Sequence, residues 1–204
     1  MSGAPGGRAR REQICDAALE LFLEKGFAST TIRDICARSG VNQASIYDYI
    51  ANKNDILRRL MNQLWFRQDV PSLPELLEDP DLTLEEAFTR YFRETWKTKR
   101  KGVLLTYRSV PDMPEADRKA MHAREVAYMH EVAGELRKRG ARAADPRRYE
   151  ILANLLVFMA AFAPMRDWLN REVPDETMIR TVAVGMAAMT RELIGDGGAD
   201  GGGD

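Results

Sequence analysis

The stretch VNQASIYDYIANKNDIL, from Val41 to Leu57, decides how this chain folds. Asn42 and Asn52 each stand just before a short helical pattern, where asparagine is a favoured N-cap. The preceding pattern starts at Thr31 with a capping-box signature and ends at Gly40, a residue suited to closing a helix. Two short helices separated by a glycine turn are typical of a helix-turn-helix motif, which we predict here.

The remaining chain is also predicted to be helical, because apolar residues recur at helical spacing and turn signals separate the patterns. The predicted fold class is all-α, with an N-terminal three-helix helix-turn-helix head on a larger helical body. The predicted helices cover about 8–25, 31–39, 43–49, 52–67, 83–99, 102–110, 114–139, 146–170 and 175–194. The predicted division is a disordered tail 1–7, a head 8–56, a body 57–194 and a disordered Gly-rich tail 195–204.

Composition excludes several classes of protein. The 30 Lys and Arg against 31 Asp and Glu give a net charge of −1, which indicates no particular partner. Two cysteines and two histidines at these spacings form neither a disulfide framework nor a zinc motif, so we expect no metal and no cofactor. The opening MSGAPGGRARR lacks an apolar leader, and no stretch reaches the roughly 18 apolar residues of a membrane span. We therefore expect a cytoplasmic protein with reduced thiols and no membrane partner.

A larger pattern around the opening stretch resembles a known family. The sequence ALELFLEKGFASTTIRDICARSGVNQASIYDYIANKNDIL is similar to the DNA-binding head of TetR/AcrR-type transcriptional repressors. The matching residues are Phe22, Gly26, Phe27, Thr30, Thr31, Ile32, Ile35, Gly40, Val41, Ile46, Tyr47, Tyr49 and Lys53. The resemblance implies that 8–56 binds double-stranded DNA. It also implies a helical ligand-binding body and a homodimer, which would read a palindromic operator.

The recognition helix of such a motif places its first residues nearest the base edges. Gln43 is positioned to pair with adenine, and Ala44 to touch a thymine methyl. Ser45 can donate to a base or to a phosphate. The arginines within 8–11 would form either a basic arm towards the DNA or a solvated tail.

A second set of residues is expected to hold the phosphates. Tyr47 and Tyr49 combine an apolar ring with a hydroxyl, which suits contact with the sugar-phosphate strand. Without the surrounding pattern, both would be read as half-buried surface aromatics. Lys53 would add its charge to a helix N-terminus that binds phosphate. Thr31 and Arg33 should reach the flanking backbone.

The body contains candidates for a ligand pocket. Aromatic residues recur at helical spacing, and Arg108 and Asn154 are polar residues in apolar company, so each needs a partner if buried. Such stripes are ordinary core in most proteins, and both interpretations stay open. The candidate pocket residues are Phe88, Phe92, Trp96, Tyr107, Arg108, Asn154, Phe158 and Phe162.

The last two predicted helices are candidates for a dimer surface. Small residues spaced along the final helix would let backbones approach closely, and the preceding helix carries large apolar residues. Two helices from each subunit would form a four-helix interface about a two-fold axis. Packing within one chain is the alternative. The candidate interface residues are Met165, Trp168, Val182, Gly185, Ala188 and Met189.

These features favour a sequence-specific transcriptional repressor whose operator affinity changes with a small hydrophobic ligand. An activator on the same fold and a small-molecule carrier are the alternatives. An enzyme is disfavoured because the sequence offers no nucleophile–base–acid set, phosphate loop or metal spacing. A carrier would bind ligand without salt-dependent binding to duplex DNA.

Overall fold

The computed structural model describes residues 5–64, 70–140 and 145–195, and within these ranges helices are joined by turns and loops, with no strand. The predicted all-α fold is therefore confirmed. The α-helices are α1 Pro5–Lys25, α2 Ile32–Ser39, α3 Lys53–Leu64, α4 Leu73–Glu78, α5 Leu84–Thr98, α6 Arg100–Ser109, α7 Glu115–Arg139, α8 Pro146–Met159, α9 Phe162–Asn170 and α10 Asp175–Ile194. Two 3-10 helices cover Ile46–Asp48 and Val110–Asp112.

The described residues form two compact units. One takes its residues from Met1–Arg67 and Lys101–Ala120, and the other from Gln68–Arg100 and Met121–Asp204. This division differs from the predicted boundary after residue 56, because α6 groups with the head. Helix α1 starts at Pro5, so 5–7 do not form the disordered tail that was predicted. Residues 1–4 and 196–204 of the predicted tails lie outside the described residues.

The first unit is built on the apolar face of α1. Ile14, Ala18 and Phe22 are fully buried there, as their helical spacing predicts. Phe27, just beyond α1, packs edge-on against Phe22 with ring centroids 5.1 Å apart. Helix α1 packs against both α2 and α3, so it is the scaffold on which the helix-turn-helix is assembled.

The second unit has its own core, centred on α5. Thr83 caps α5 in a capping box with Glu86, and α5 packs mainly against α4 and α10. Phe88 and Phe92 are fully buried on this helix. Fully burying side chains of this size stabilises a fold by about 1.5–3 kcal/mol each.

The helix predicted over 146–170 is broken into α8 and α9, which meet at an angle of 47°. Pro164 explains the break, because it lacks the N–H that would bond to the carbonyl of Ala160 in a continuous helix. The Trp96 indole donates to that free carbonyl at 3.0 Å. The prediction of one continuous helix was wrong, although Pro164 was visible in the sequence.

Two long-range contacts fix the ends of α4. At its start, the Leu73 N–H donates to the Tyr128 hydroxyl at 3.1 Å, and burial raises the pKa of Tyr128 to about 12. Beyond its end, the Arg139 guanidinium donates to three carbonyls at 2.6–2.7 Å, those of Leu77, Asp79 and Leu82. Helix α4 is too short to be stable alone, so these hydrogen bonds stabilise it within the second unit.

Candidate nucleic-acid interface

Helix α2 begins and ends as the sequence predicts. The Thr31 hydroxyl accepts from the Asp34 N–H at 3.1 Å, and the Asp34 carboxylate accepts from the Thr31 N–H at 2.8 Å. Hydrogen bonds from Lys25 and then from Thr31 hold the pKa of Asp34 well below its usual range. Gly40 ends the helix at φ 67°, a left-handed conformation that favours glycine. This turn directs the chain into the next segment.

We call residues 42–49 the recognition segment. It was predicted to be a regular helix over 43–49, and the structure corrects this to a turn followed by the 3-10 helix Ile46–Asp48. The Asn42 side chain accepts from the Ala44 N–H at 2.9 Å, as predicted for a cap. The Ser45 hydroxyl donates to the Asn42 carbonyl at 3.1 Å. Such local bonds from Asn and Ser compete with α-helical ones and favour a tighter turn.

The recognition segment turns one residue into the core and the rest outwards. Ile46 is completely buried, which anchors the segment on the head. Gln43 and Ala44 are exposed, and the Tyr47 side chain has 58% of its surface exposed. Ser45 and Tyr49 are half-buried. The side chains predicted to read bases are therefore accessible from solvent. Their contact with DNA stays a prediction.

Lys53 differs from its predicted role. Its ammonium donates to the carbonyls of Phe27 at 2.7 Å, Thr30 at 2.8 Å and Ala28 at 3.3 Å. It also lies 4.3 Å from the centroid of the Phe27 ring. Burial lowers the pKa of Lys53, and the carboxylate of Asp112 opposes that shift. An ammonium has three N–H donors, so none is left for a phosphate in this structure.

Thr31 and Arg33, both predicted to contact the DNA backbone, have different surroundings in the structure. The Thr31 hydroxyl donates to the Asp34 carboxylate at 2.7 Å, and its contact with a phosphate stays a prediction. Arg33 is exposed at the start of α2, and within the described residues its guanidinium makes no hydrogen bond or ion pair. Arg33 is therefore the predicted phosphate contact with a cationic group still available.

The arginines of 8–11 form neither an arm nor a tail, because they lie in α1. Arg8 donates to Glu12 at 3.0 Å, and Arg10 donates to Gln13 at 3.1 Å. Arg11 donates to the carbonyl of Tyr49 at 2.9 Å and so holds the end of the recognition segment. The sequence offered no signal for this contact, because its partners are 38 residues apart.

The predicted pocket residues are divided between the two units. Tyr107 and Arg108 belong to the first unit, and the other six belong to the second. Phe88 and Phe92 are completely buried in the core, and Phe92 stacks on Trp96 with centroids 5.2 Å apart. These contacts match the ordinary-core interpretation. Within the second unit, Phe162 is half-buried and Phe158 is half-exposed.

The two polar residues singled out for the pocket are not buried. Arg108 is exposed and donates to the carbonyl of Leu23. Asn154 is exposed on α8. The expectation that each is a buried polar group was wrong, because apolar neighbours in sequence point to other faces of a helix. Neither residue therefore requires a ligand to satisfy it.

The candidate dimer residues lie on the surface of the second unit. Trp168 is 64% exposed and Met165 is 43% exposed on α9. On α10, Gly185 and Ala188 are exposed, and Val182 and Met189 are half-buried. Large apolar residues that sequence reasoning missed extend this surface; they are Ile151, Leu155, Leu169 and Val184. Ile151 and Leu155 lie one turn apart on α8, and Leu169 adjoins Trp168 on α9. This helical spacing was the signal in the sequence that could have identified them.

Other kinds of site find little support in the described residues. No three of their His, Cys, Asp or Glu side chains are placed to share a metal ion. Burial raises the pKa of both thiols, Cys15 and Cys36, which fits packing better than reactivity. Within the same ranges, no single helix is long and apolar enough to cross a membrane, although the bent pair α8 and α9 passes that test jointly.

Comparison with known proteins agrees with this geometry. The family model described as bacterial regulatory proteins, tetR family, matches residues 14–60. The HTH-type transcriptional regulator HbdR of Aromatoleum sp. (strain CIB) is 33% identical over 114 residues, 55% of this chain and 49% of that protein. The class D tetracycline repressor protein of Escherichia coli is 31% identical over 91 residues, 41% of this chain and 42% of that protein. The chain spans about half the length of these relatives.

Solved structures extend the likeness to the whole fold. A TetR-like transcriptional regulator from Rhodococcus sp. RHA1 superposes with a TM-score of 0.65 at 19% identity, over 92% of this chain and 97% of that one. GusR of Salmonella enterica superposes with a TM-score of 0.61 at 18% identity, over 88% and 96%. At these identities the likeness shows the fold alone.

A helix-turn-helix head with an outward-facing recognition segment defines a DNA-binding transcriptional regulator. Residues 14–60 therefore match the DNA-binding head of the tetR family of bacterial regulatory proteins, and the fold of the chain is similar to that of TetR-like regulators.

Proposed function

We propose that the chain is a sequence-specific repressor that binds a palindromic operator as a homodimer and changes its operator affinity when the C-terminal unit binds a small hydrophobic ligand. The observation that carries the proposal is the recognition segment. Its buried Ile46 fixes it to the head, and its exposed Gln43, Ala44 and Tyr47 offer an amide, a methyl and a phenol to a groove. These are the groups that read adenine, thymine and the strand backbone.

The homodimer is supported by the apolar surface on α8, α9 and α10. Ile151, Phe158, Trp168 and Leu169 each expose half or more of their side chain. Apolar patches on this scale are uncommon on monomeric proteins and mark interaction surfaces. A two-fold axis through this surface would bring the same apolar patch of both subunits together. The two heads would then bind the two half-sites of the operator.

The ligand is the part of the proposal that rests most on relatives. One relative is named a tetracycline repressor, which is a statement about that protein. In the second unit, the half-buried Phe162 and the half-exposed Phe158 present aromatic surface that a hydrophobic ligand could contact. We propose a repressor and not an activator because relatives such as the class D tetracycline repressor protein are named repressors. Free, buried Cys15 and Cys36 fit a cytoplasmic site of action.

The experiment that tests the proposal is capture of fragmented DNA from the source organism on purified protein, at two salt concentrations, followed by sequencing. Recovery of a palindromic sequence, less abundantly at the higher salt, supports the operator. Retention of no DNA, together with a small molecule found by native mass spectrometry, would instead favour a carrier. Sedimentation of the same sample measures whether the chain is a dimer.

A further inference from the structure

Lys53 connects the two ends of the helix-turn-helix. It is the first residue of α3, and residues 50–52 join it to the recognition segment. Its half-buried side chain reaches back to residues 27–30, the loop that precedes α2. The chain between this loop and Lys53 consists of α2 and the recognition segment. One side chain therefore joins the residues on either side of the DNA-reading part of the head.

The loop offers Lys53 a set of converging acceptors. Gly26 takes φ 88°, and the Thr30 hydroxyl donates to its carbonyl at 2.8 Å, which folds the loop tightly. The carbonyls of Phe27, Ala28 and Thr30 then all lie within 3.3 Å of the Lys53 ammonium. A buried carbonyl without a hydrogen-bond donor destabilises a fold. The ammonium therefore supplies donors to the loop carbonyls, and the same hydrogen bonds hold the Lys53 side chain in place. The face of the Phe27 ring, 4.3 Å away, adds a cation–π contact.

A second set of contacts braces the same region from α1. Arg11 donates to the Tyr49 carbonyl at 2.9 Å, and Gln13 donates to the Ser39 carbonyl at 2.9 Å. The first contact ends at the last residue of the recognition segment, and the second ends at the last residue of α2. The cationic Lys53 and Arg11 are therefore used for main-chain carbonyls, whereas Arg33 is not.

We propose that Lys53 is a positioning residue, which sets the placement of the recognition segment on the head by binding the carbonyls of 27–30, and is not a phosphate contact. The inference deepens the proposed function, since its consequence for DNA rests on the head binding an operator. A compact ammonium can point three N–H groups at three converging carbonyls. A planar guanidinium cannot, even though it carries the same charge.

The test compares Lys53→Arg and Lys53→Met with Arg33→Met as the matched charge-removing control. The affinity of each for the captured operator and for a shuffled duplex is measured over a series of salt concentrations. For both Lys53 variants we expect preference for the operator to fall about tenfold, the scale of one misplaced base contact, with the salt slope unchanged. Arg33→Met should lower the affinity for both duplexes and reduce the salt slope by about 0.9.

Two results would overturn the inference. A salt slope lowered by about 0.9 in Lys53→Met, with full operator preference in Lys53→Arg, would make Lys53 a phosphate contact. Equal losses on both duplexes that track a lower Tm would make it a general stabiliser of the head.

A measurement without DNA keeps the inference separate from the proposed function. Amide hydrogen exchange of 42–49 in the free protein should be faster in Lys53→Arg than in the wild type, because the placement of this segment is loosened. Unchanged exchange there would count against Lys53 as a positioning residue. Absence of duplex binding by the wild type would count against the proposed function only.

Discussion

The recognition segment of the head and the α5 core of the second unit are held in place by different kinds of contact. In the head, Lys53, Arg11 and Gln13 donate to main-chain carbonyls around short elements that could not hold their shape alone. In the second unit, the α5 core is a stack of aromatic rings, and the Trp96 indole supplies one buried hydrogen bond. Directed polar contacts therefore hold the recognition segment on the head, whereas buried aromatic volume holds the α5 core together. The predictions below test that difference, starting with the largest effect.

Phe92→Ala should destabilise the second unit by about 3–5 kcal/mol, because it removes a fully buried ring from a packed core and leaves a cavity. Denaturant unfolding measures this loss. The matched control is Tyr47→Ala in the head, an aromatic truncation at a site with 58% of the side chain exposed, which should change stability by less than about 0.5 kcal/mol. Equal losses of stability in the two variants would mean that the buried ring in the α5 core contributes no more than the exposed ring in the head.

Trp168→Glu should weaken the proposed homodimer by about thirtyfold or more, since it would place a charge in the apolar surface at which we propose that the two subunits meet. Its side chain is 64% exposed in the single chain, so the fold of the second unit should survive the change. Sedimentation velocity over a concentration series measures the dissociation constant. Arg171→Glu, at an exposed polar position beyond the end of α9, is the control for added negative charge. A dimer as tight as the wild type would move the interface elsewhere.

Tyr47→Ala should lower affinity for every duplex by about tenfold, because it would remove the ring and the hydroxyl that we propose contact a sugar and a phosphate. Fluorescence anisotropy with operator and shuffled duplexes measures the loss. Tyr47→Phe retains the ring and separates the two contributions. Affinity that is unaffected in both variants would return Tyr47 to an ordinary exposed aromatic.

The smallest effect expected is a dependence of stability on pH from Glu176. Arg93 first, and then Lys97, hold the pKa of Glu176 at about 2, below its ordinary value of 4.5. The unfolded chain therefore binds the proton more readily, so this contribution is present above about pH 4.5 and is lost as the pH falls towards about 2. The ion pairs are exposed, so the effect is small.

Denaturant unfolding of the wild type and Glu176→Gln at pH 5 and pH 3 tests this ion-pair group. The wild type should be the more stable protein at pH 5, and the difference should shrink at pH 3. A difference that stays constant between the two pH values would assign the stability to packing instead of charge.

Local signals in the sequence predicted the ends of elements well. Thr31, Thr83 and Asn42 are caps whose partners lie two or three residues along the chain, so their patterns are visible in the sequence. The outward placement of Gln43 and the buried Ile46 also follow from spacing along one short segment. Features that depend on a few neighbouring residues could therefore be predicted.

Features that depend on distant residues could not be predicted. The Lys53 ammonium meets Phe27, 26 residues earlier, and the Trp96 indole meets Ala160, 64 residues later. No local pattern in the sequence indicates either pairing. Asn154 was predicted to be buried because its neighbours in sequence are apolar, yet burial depends on the helix face that packs.

The central claim is that the recognition segment reads bases. Its most direct test is the affinity of the wild type and Gln43→Ala for the captured operator and for duplexes with single base pairs changed. The account predicts that Gln43→Ala loses its preference at one position of each half-site, at a cost of about 1–3 kcal/mol, while binding to shuffled DNA is unchanged. Full preference retained at every position would contradict the claim.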